Sequence, residues 1–423
     1  MKFEKRTFAN GLRCVVAPMK DTEAVTLWTL FGTGSKYETK KISGVSHFLE
    51  HLFFKGTKSR PTPDLVIREL DRIGAQKNAF TLKEYTGYYV KSAAKHFDIG
   101  LDIVSDILIE PIFKKSEIEK ERGVIFQEIS MNEDNPQRQA YQLIEELLYG
   151  NQPAGWDVGG TPETVKGISR EDILKYKQSH YITSNAVVVA AGNVEAEAVF
   201  KKVEKAFLKM PQGKKLRKEK VIERQRVPAV KFKKKDVDQT HLRLALRSYD
   251  MYDERRYALQ VLATIFGGNM SSYLWREIRE KGGLAYYVGA SPDEATDTGY
   301  LLATAGVSHA NFLKTVKKII EILKRIKAKG VTEREINFAK EFIRGSMALS
   351  FESTDEVAPF LASQELFYEK IMTPQEILAK IEKVKRSDIM GVVKDVFRRE
   401  KVNLVAITPE ENTADFEKIL NTL

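Results

Sequence analysis

The chain has 423 residues, of which 43% are hydrophobic and 30% charged, with a formal net charge of +10. That length is too great for one core and fits two domains of roughly 200 residues each. The basic residues are interleaved with apolar positions on helical stretches such as "LKTVKKIIEILKRIKAKG" (313–330), which reads as solvated helix faces; no nucleic-acid partner is expected.

From the N-terminus, "LRCVVAP" reads as an apolar strand carrying Cys14, the one cysteine of the chain. A single thiol excludes an internal disulfide framework, and in such a run it reads as buried and structural. No apolar h-region opens the chain and no window approaches 18 apolar residues, so a cytoplasmic protein without a membrane partner is expected. "AVTLWTLF" (24–31), "EYTGYYVK" (84–91) and "AVVVAAG" (186–192) read as strands in the first half, and "HLRLALRS" (241–248) as one in the second. Long amphipathic stretches lie among them. The expected fold class is α+β: two homologous domains, each a mostly antiparallel sheet covered by helices.

Between the first strands lies "ISGVSHFLEHLFFKG" (42–56), bounded by Ser43 and Gly56 as helix start and stop signals. On a helix His47 and His51 share one face, a turn apart, and two imidazoles so placed can reach one zinc ion at about 2.0–2.1 Å. Glu50 borders the same face and can accept a proton from a water on the metal. Val45, Phe48, Leu49, Leu52 and Phe53 supply the buried side. A catalytic zinc site needs a third protein ligand. "SEIEKERGVIFQEISMNEDN" (116–135) offers Glu121 and Glu128, two turns apart on one face, and residue counting leaves both open.

The chain also contains itself twice. "ISREDILKYKQSHYITSNAVVVAAG" (168–192) matches "VKRSDIMGVVKDVFRREKVNLVAIT" (384–408) at an offset of 216, and "SEIEKERGVIFQEI" (116–129) matches "REINFAKEFIRGSM" (334–347) at nearly the same offset. The polar stretch 209–227 reads as the linker between a zinc-bearing catalytic domain, 1–208, and a homologous domain without metal, 228–423. At the repeat offset His47, Glu50 and His51 face Ala263, Phe266 and Gly267, and Glu128 falls opposite Ser346 at an offset of 218.

His-x-x-Glu-His followed by a distal "E..VI..E" resembles the inverted-zincin metallopeptidases of the mitochondrial-processing-peptidase, insulin-degrading-enzyme and pitrilysin group, in their short-chain bacterial form. The resemblance implies a zinc metalloendopeptidase holding one Zn²⁺ per chain on His47, His51 and Glu128. It implies Glu50 as general base and Glu121 as a supporting catalytic carboxylate. It extends to "GTGSKYE" (32–38), to "GNQPAGWDVGGTPETVKGIS" (150–169) and to "GAQKNAFTLKEYTGYYV" (74–90). The last matches the family's substrate edge strand, which implies peptide pairing around Asn78, Ala79 and Phe80. "GGNMSSYLWREIREKGGLAYYVGA" (267–290) is similar to the second-domain signature and implies substrate contacts by Arg279 and Tyr286, with Arg276 and Tyr287 as neighbouring competitors. The family closes a chamber from four such domains, so the two domains here imply a homodimer whose active site is completed by the partner chain, acting on oligopeptides or unfolded segments. The alternatives are a non-catalytic scaffold and one subunit of a heterodimeric processing peptidase.

Overall fold

The computed structural model describes all 423 residues. In chain order the first half forms β1 (Glu4–Thr7), β2 (Arg13–Pro18), β3 (Ala24–Phe31), α1 (Val45–Phe53), α2 (Pro63–Arg72), β4 (Gln76–Thr81) and β5 (Thr86–Ala93). There follow α3 (Phe97–Ile109), α4 (Lys115–Asp134), α5 (Pro136–Tyr149), α6 (Pro162–Gly167), α7 (Arg170–His180), β6 (Ala186–Gly192) and α8 (Ala196–Ala206). The second half forms β7 (Ala229–Lys234), β8 (Thr240–Arg247), α9 (Arg256–Gly267), β9 (Ala285–Glu294), β10 (Gly299–Val307), α10 (Phe312–Lys329) and α11 (Glu333–Leu349). It ends in α12 (Thr354–Phe367), α13 (Pro374–Lys383), α14 (Arg386–Val396), β11 (Val402–Thr408) and α15 (Ala414–Leu420). No helix is long and apolar enough to cross a membrane.

The first sheet has the order β1-β2-β6-β3-β5-β4 and is antiparallel except for the β2–β6 pair. The second runs β7-β11-β8-β10-β9, antiparallel except for β7–β11. The two orders superpose strand for strand, with β1 as an addition to the first. The internal repeat is therefore structural. Arg13 lies opposite Val187 in the first sheet, and Ala229 opposite Asn403 in the second, both pairs shifted by the same 216 positions. The fold is the α+β architecture expected from the sequence.

Each sheet buries both faces. In the first unit, one face packs on α1, α3, α7 and α8 through Phe31, Phe48, Leu52, Phe53, Val188 and Phe200. Full burial of such side chains contributes about 1.5–3 kcal/mol each. The opposite face, with Val15, Leu30, Val187 and Val189, is covered by Val357, Leu361 and Leu366 of α12. In the second unit α9, α10 and α14 cover one face of the sheet. Leu143, Ile144 and Leu148 of α5 cover Ala245, Leu302 and Val405 on the other.

The compact units thus differ from the repeat halves. One comprises Met1–Ser130, Asp157–Glu219 and Ala348–Pro374; the other comprises Met131–Trp156, Lys220–Met347 and Gln375–Leu423. Each half of the sequence donates one covering helix to the other half's sheet. The polar stretch 209–227 carries no helix or strand, and Lys218 pairs with Glu84 at 3.3 Å while Gln225 accepts from Arg247 at 2.7 Å. It is thus held to the protein at its middle and near its end.

Candidate metal centre

The zinc-type helix of the sequence is α1, and its start differs from the expectation. Ser43 provides no cap. Gly44 is the N-cap, with φ +96°, and a side chain there would meet Gly159 O at 2.7 Å. The orphan N–H groups of the first turn are taken by Glu38. Gly44 N donates to Glu38 Oε2 at 2.7 Å and Ser46 N to Oε1 at 2.8 Å. Burial pushes this carboxyl up to about 7, while the two backbone donors pull it back. Ser46 Oγ also donates to Tyr176 Oη at 2.7 Å, and Thr33 Oγ1 lies 2.8 Å from the same phenol. The stretch "GTGSKYE" and helix α7 thereby fix the entry of α1.

From this helix His47 and His51 project together, their rings 4.7 Å apart. Glu128 approaches them from α4. His51 Nε2 is 3.3 Å from His47 Nε2, and Glu128 Oε2 is 3.5 Å from each of the two nitrogens. Donors at about 2.0–2.1 Å around a tetrahedral ion stand about 3.3–3.4 Å from one another, so two imidazoles and one carboxylate here fit a zinc ion. Of the two glutamates on α4, it is Glu128 that groups with the histidines as a candidate third ligand. Glu121, 2% exposed, lies behind it with Oε2 3.3 Å from His51 Nδ1. Burial pulls the His51 imidazole down, but Glu128 and Glu121 together hold it above its ordinary range.

Glu50 is adjacent. Its Oε2 accepts from Thr81 Oγ1 at 2.6 Å. Burial raises its carboxyl above the ordinary range, opposed by the Thr81 bond and by His51. Thr81 ends β4, the outermost strand of the first sheet, in which Asn78, Ala79 and Phe80 pair with Tyr89, Tyr88 and Gly87 of β5. The edge predicted from the sequence therefore ends on the residue that holds Glu50.

Arg279 and Tyr286 belong to the second unit. Arg279 lies on a turn of π-helix, Trp275–Glu280, with its guanidinium 4.2 Å from the Trp275 ring centroid and 5.8 Å from that of Tyr286. Tyr286 is 74% exposed. Of the competitors, Tyr287 is engaged elsewhere, its Oη 2.9 Å from His241 Nδ1, while Arg276 is exposed. In this unit Ala263 and Phe266, the counterparts of His47 and Glu50, are buried. Gly267, opposite His51, has no room for any side chain, since a Cβ would meet Ala290 N at 2.5 Å. Three residues around the cluster were missed from the sequence: Glu38, Lys55 and Thr81. Lys55 alone had a readable signal, four positions after His51.

Residues 14–161 match the model described as insulinase (peptidase family M16), and residues 167–342 that of the peptidase M16 inactive domain. An uncharacterized zinc protease of Bacillus subtilis is 34% identical over 411 residues, 97% of this chain and 99% of its own. One from Streptomyces coelicolor is 33% identical over 93% of this chain and 87% of its own. Among solved structures, a protease from Helicobacter pylori superposes with a TM-score of 0.88 at 24% identity, over 96% of this chain and 100% of its own. A peptidase M16 inactive domain from Pseudomonas fluorescens gives 0.89 at 16% identity, over 97% and 98%. A two-sheet repeat fold with one His-His-Glu cluster defines the class, and the chain belongs to peptidase family M16.

Proposed function

We propose that the protein is a zinc-dependent endopeptidase that cleaves oligopeptides or unfolded segments. The observation that carries this reading is the His47–His51–Glu128 cluster, spaced for one tetrahedral ion, with the Glu50 carboxylate beside it. Zinc, held by these three residues, would supply the Lewis acidity that makes water a nucleophile at neutral pH and polarises the scissile carbonyl.

The remaining chemistry belongs to the chain's own side chains. Glu50 takes the proton of the attacking water at its carboxylate and delivers it to the amine that leaves as the C–N bond breaks. Its raised proton affinity brings it nearer to the operating pH, as a base that must also serve as acid requires. Thr81 keeps the carboxylate aimed. An extended peptide adds to the outer edge of β4 along Asn78, Ala79 and Phe80, which brings its backbone to the end of the strand where Thr81 and Glu50 meet. Arg279 and Tyr286 offer a cation and a phenol to the substrate carbonyl. The exposure of Tyr286, with the half-buried Arg279 beside its ring, supports a homodimer in which they complete the partner's site. A scaffold role is disfavoured because it has no use for three aligned ligands and a base.

Glu50→Gln is expected to retain zinc and lose nearly all cleavage of a fluorogenic peptide. Undiminished turnover by that variant sinks the assignment of the base. Mixing Glu50→Gln with Tyr286→Phe chains recovers part of the activity if sites are shared between chains. No recovery despite proven subunit exchange places the whole site in one chain.

A further inference from the structure

Behind His51 stands a second charged pair that the chemistry above does not use. Lys55 lies just beyond the end of α1, one helical turn after His51. Its Nζ is 2.7 Å from Oε1 of Glu121, and the other oxygen of the same carboxylate, Oε2, is 3.3 Å from His51 Nδ1. The Glu121 side chain is 3% exposed and that of Lys55 26%. The three groups follow one another: ammonium, carboxylate and imidazole, whose Nε2 faces His47 and Glu128.

We propose that Lys55 is a positioning residue for the metal centre. By holding one oxygen of Glu121, it fixes the other as the acceptor for the Nδ1 proton of His51, so that Nε2 keeps its lone pair on the side where His47 and Glu128 converge. This rests on the zinc reading of the cluster. The physical reason is the two-oxygen nature of a carboxylate. A buried Glu121 held by one partner only can turn about its side-chain torsions and carry its carboxylate away from Nδ1, which releases the imidazole to turn over. A Glu121 clamped on Oε1 cannot. Tautomer and ring orientation of a ligating histidine are set by the bond its other nitrogen makes. Lys55 sets that bond from one residue further out.

The test uses the full-length protein in three forms: wild type, Lys55→Met, which keeps most of the side chain's volume, and Lys55→Arg, which restores the charge and the donors. Zinc affinity is measured by competition with a chromophoric chelator. The metal-free proteins are labelled with ¹⁵N-histidine and examined at alkaline pH for the His51 tautomer. Lys55→Met is expected to bind zinc about 10- to 100-fold more weakly, to show mixed His51 tautomers, and to lower kcat with little change in KM; Lys55→Arg recovers most of each. A folded Lys55→Met with wild-type zinc affinity and a single Nδ1–H tautomer overturns the proposal, as does a variant that loses only thermal stability. If Lys55→Met does not fold, placing it in Glu121→Gln decides the matter. No further loss of zinc affinity in the double variant supports the line Lys55–Glu121–His51, and an additive loss refutes it. The tautomer readout needs neither metal nor substrate, so a protein that cleaves nothing leaves this proposal standing or falling by itself.

Discussion

His180 shows how a single buried side chain ties the site to pH. Its Nδ1 lies 3.1 Å from Thr33 Oγ1, its ring stacks on Tyr176 at 4.2 Å, and burial pulls the imidazole down to about 4. The unfolded chain takes up this proton near pH 6.5, the native protein only near 4. Stability from His180 is therefore intact above about 6.5 and falls as pH drops toward 4, by about 3 kcal/mol over the window. Glu38, raised by burial, acts with the opposite sign as pH rises from 4.5 to about 7. The comparison of variants is thus the proper readout. Urea midpoints at pH 5 and 7 are expected to differ less for His180→Gln than for wild type in the direction of acid loss; equal slopes would remove His180 from this role. Neither residue was legible as a participant. A histidine at the end of a helix and a glutamate in a loop carry no sequence sign of what they touch.

At the scale of the element, α1 was readable because its pattern is local. Apolar Val45, Phe48, Leu49, Leu52 and Phe53 define the buried stripe, and two histidines four apart lie on one face of any helix. Its cap was not readable, since the acceptor comes from Glu38, six and eight positions upstream of the donors. Glu38→Gln keeps the volume and one acceptor but sets an amide against a backbone N–H. It is expected to cost about 1–3 kcal/mol and to weaken zinc binding through fraying of the turn that carries His47. Calorimetry with and without zinc measures both, and an unchanged melting temperature excludes the cap. The edge position of β4 followed from resemblance, whereas its end on Thr81 beside Glu50 required the folded pairing.

At the scale of the molecule, the repeat was visible as a 216-residue offset, and it holds down to strand order and register. The exchange of α5 and α12 between the halves was invisible. Both mix apolar and polar residues like many other helices, and nothing local tells a helix which sheet it will cover. The chain passes between the two compact units five times. Residues 1–208 alone lack α12, leaving Val15, Leu30, Val187 and Val189 without their cover. This fragment is expected to show no cooperative thermal transition, and co-expression with 228–423 is expected to restore one. A soluble, cooperatively melting fragment 1–208 would show that the exchanged helix is dispensable.

What the sequence by itself determined is therefore local and periodic: the metal helix, the strands, the repeat, and a second half whose counterparts of His47, Glu50 and His51 are apolar. These follow from spacing along the chain, which a helix or strand converts directly into direction. What only the tertiary structure shows is the spacing of Glu128 against the two histidines, the Glu38 cap, the Lys55–Glu121–His51 line and the crossed helices. Each of these depends on atoms that the fold brings within hydrogen-bond or packing distance, and geometry is selective at that distance while sequence spacing is not.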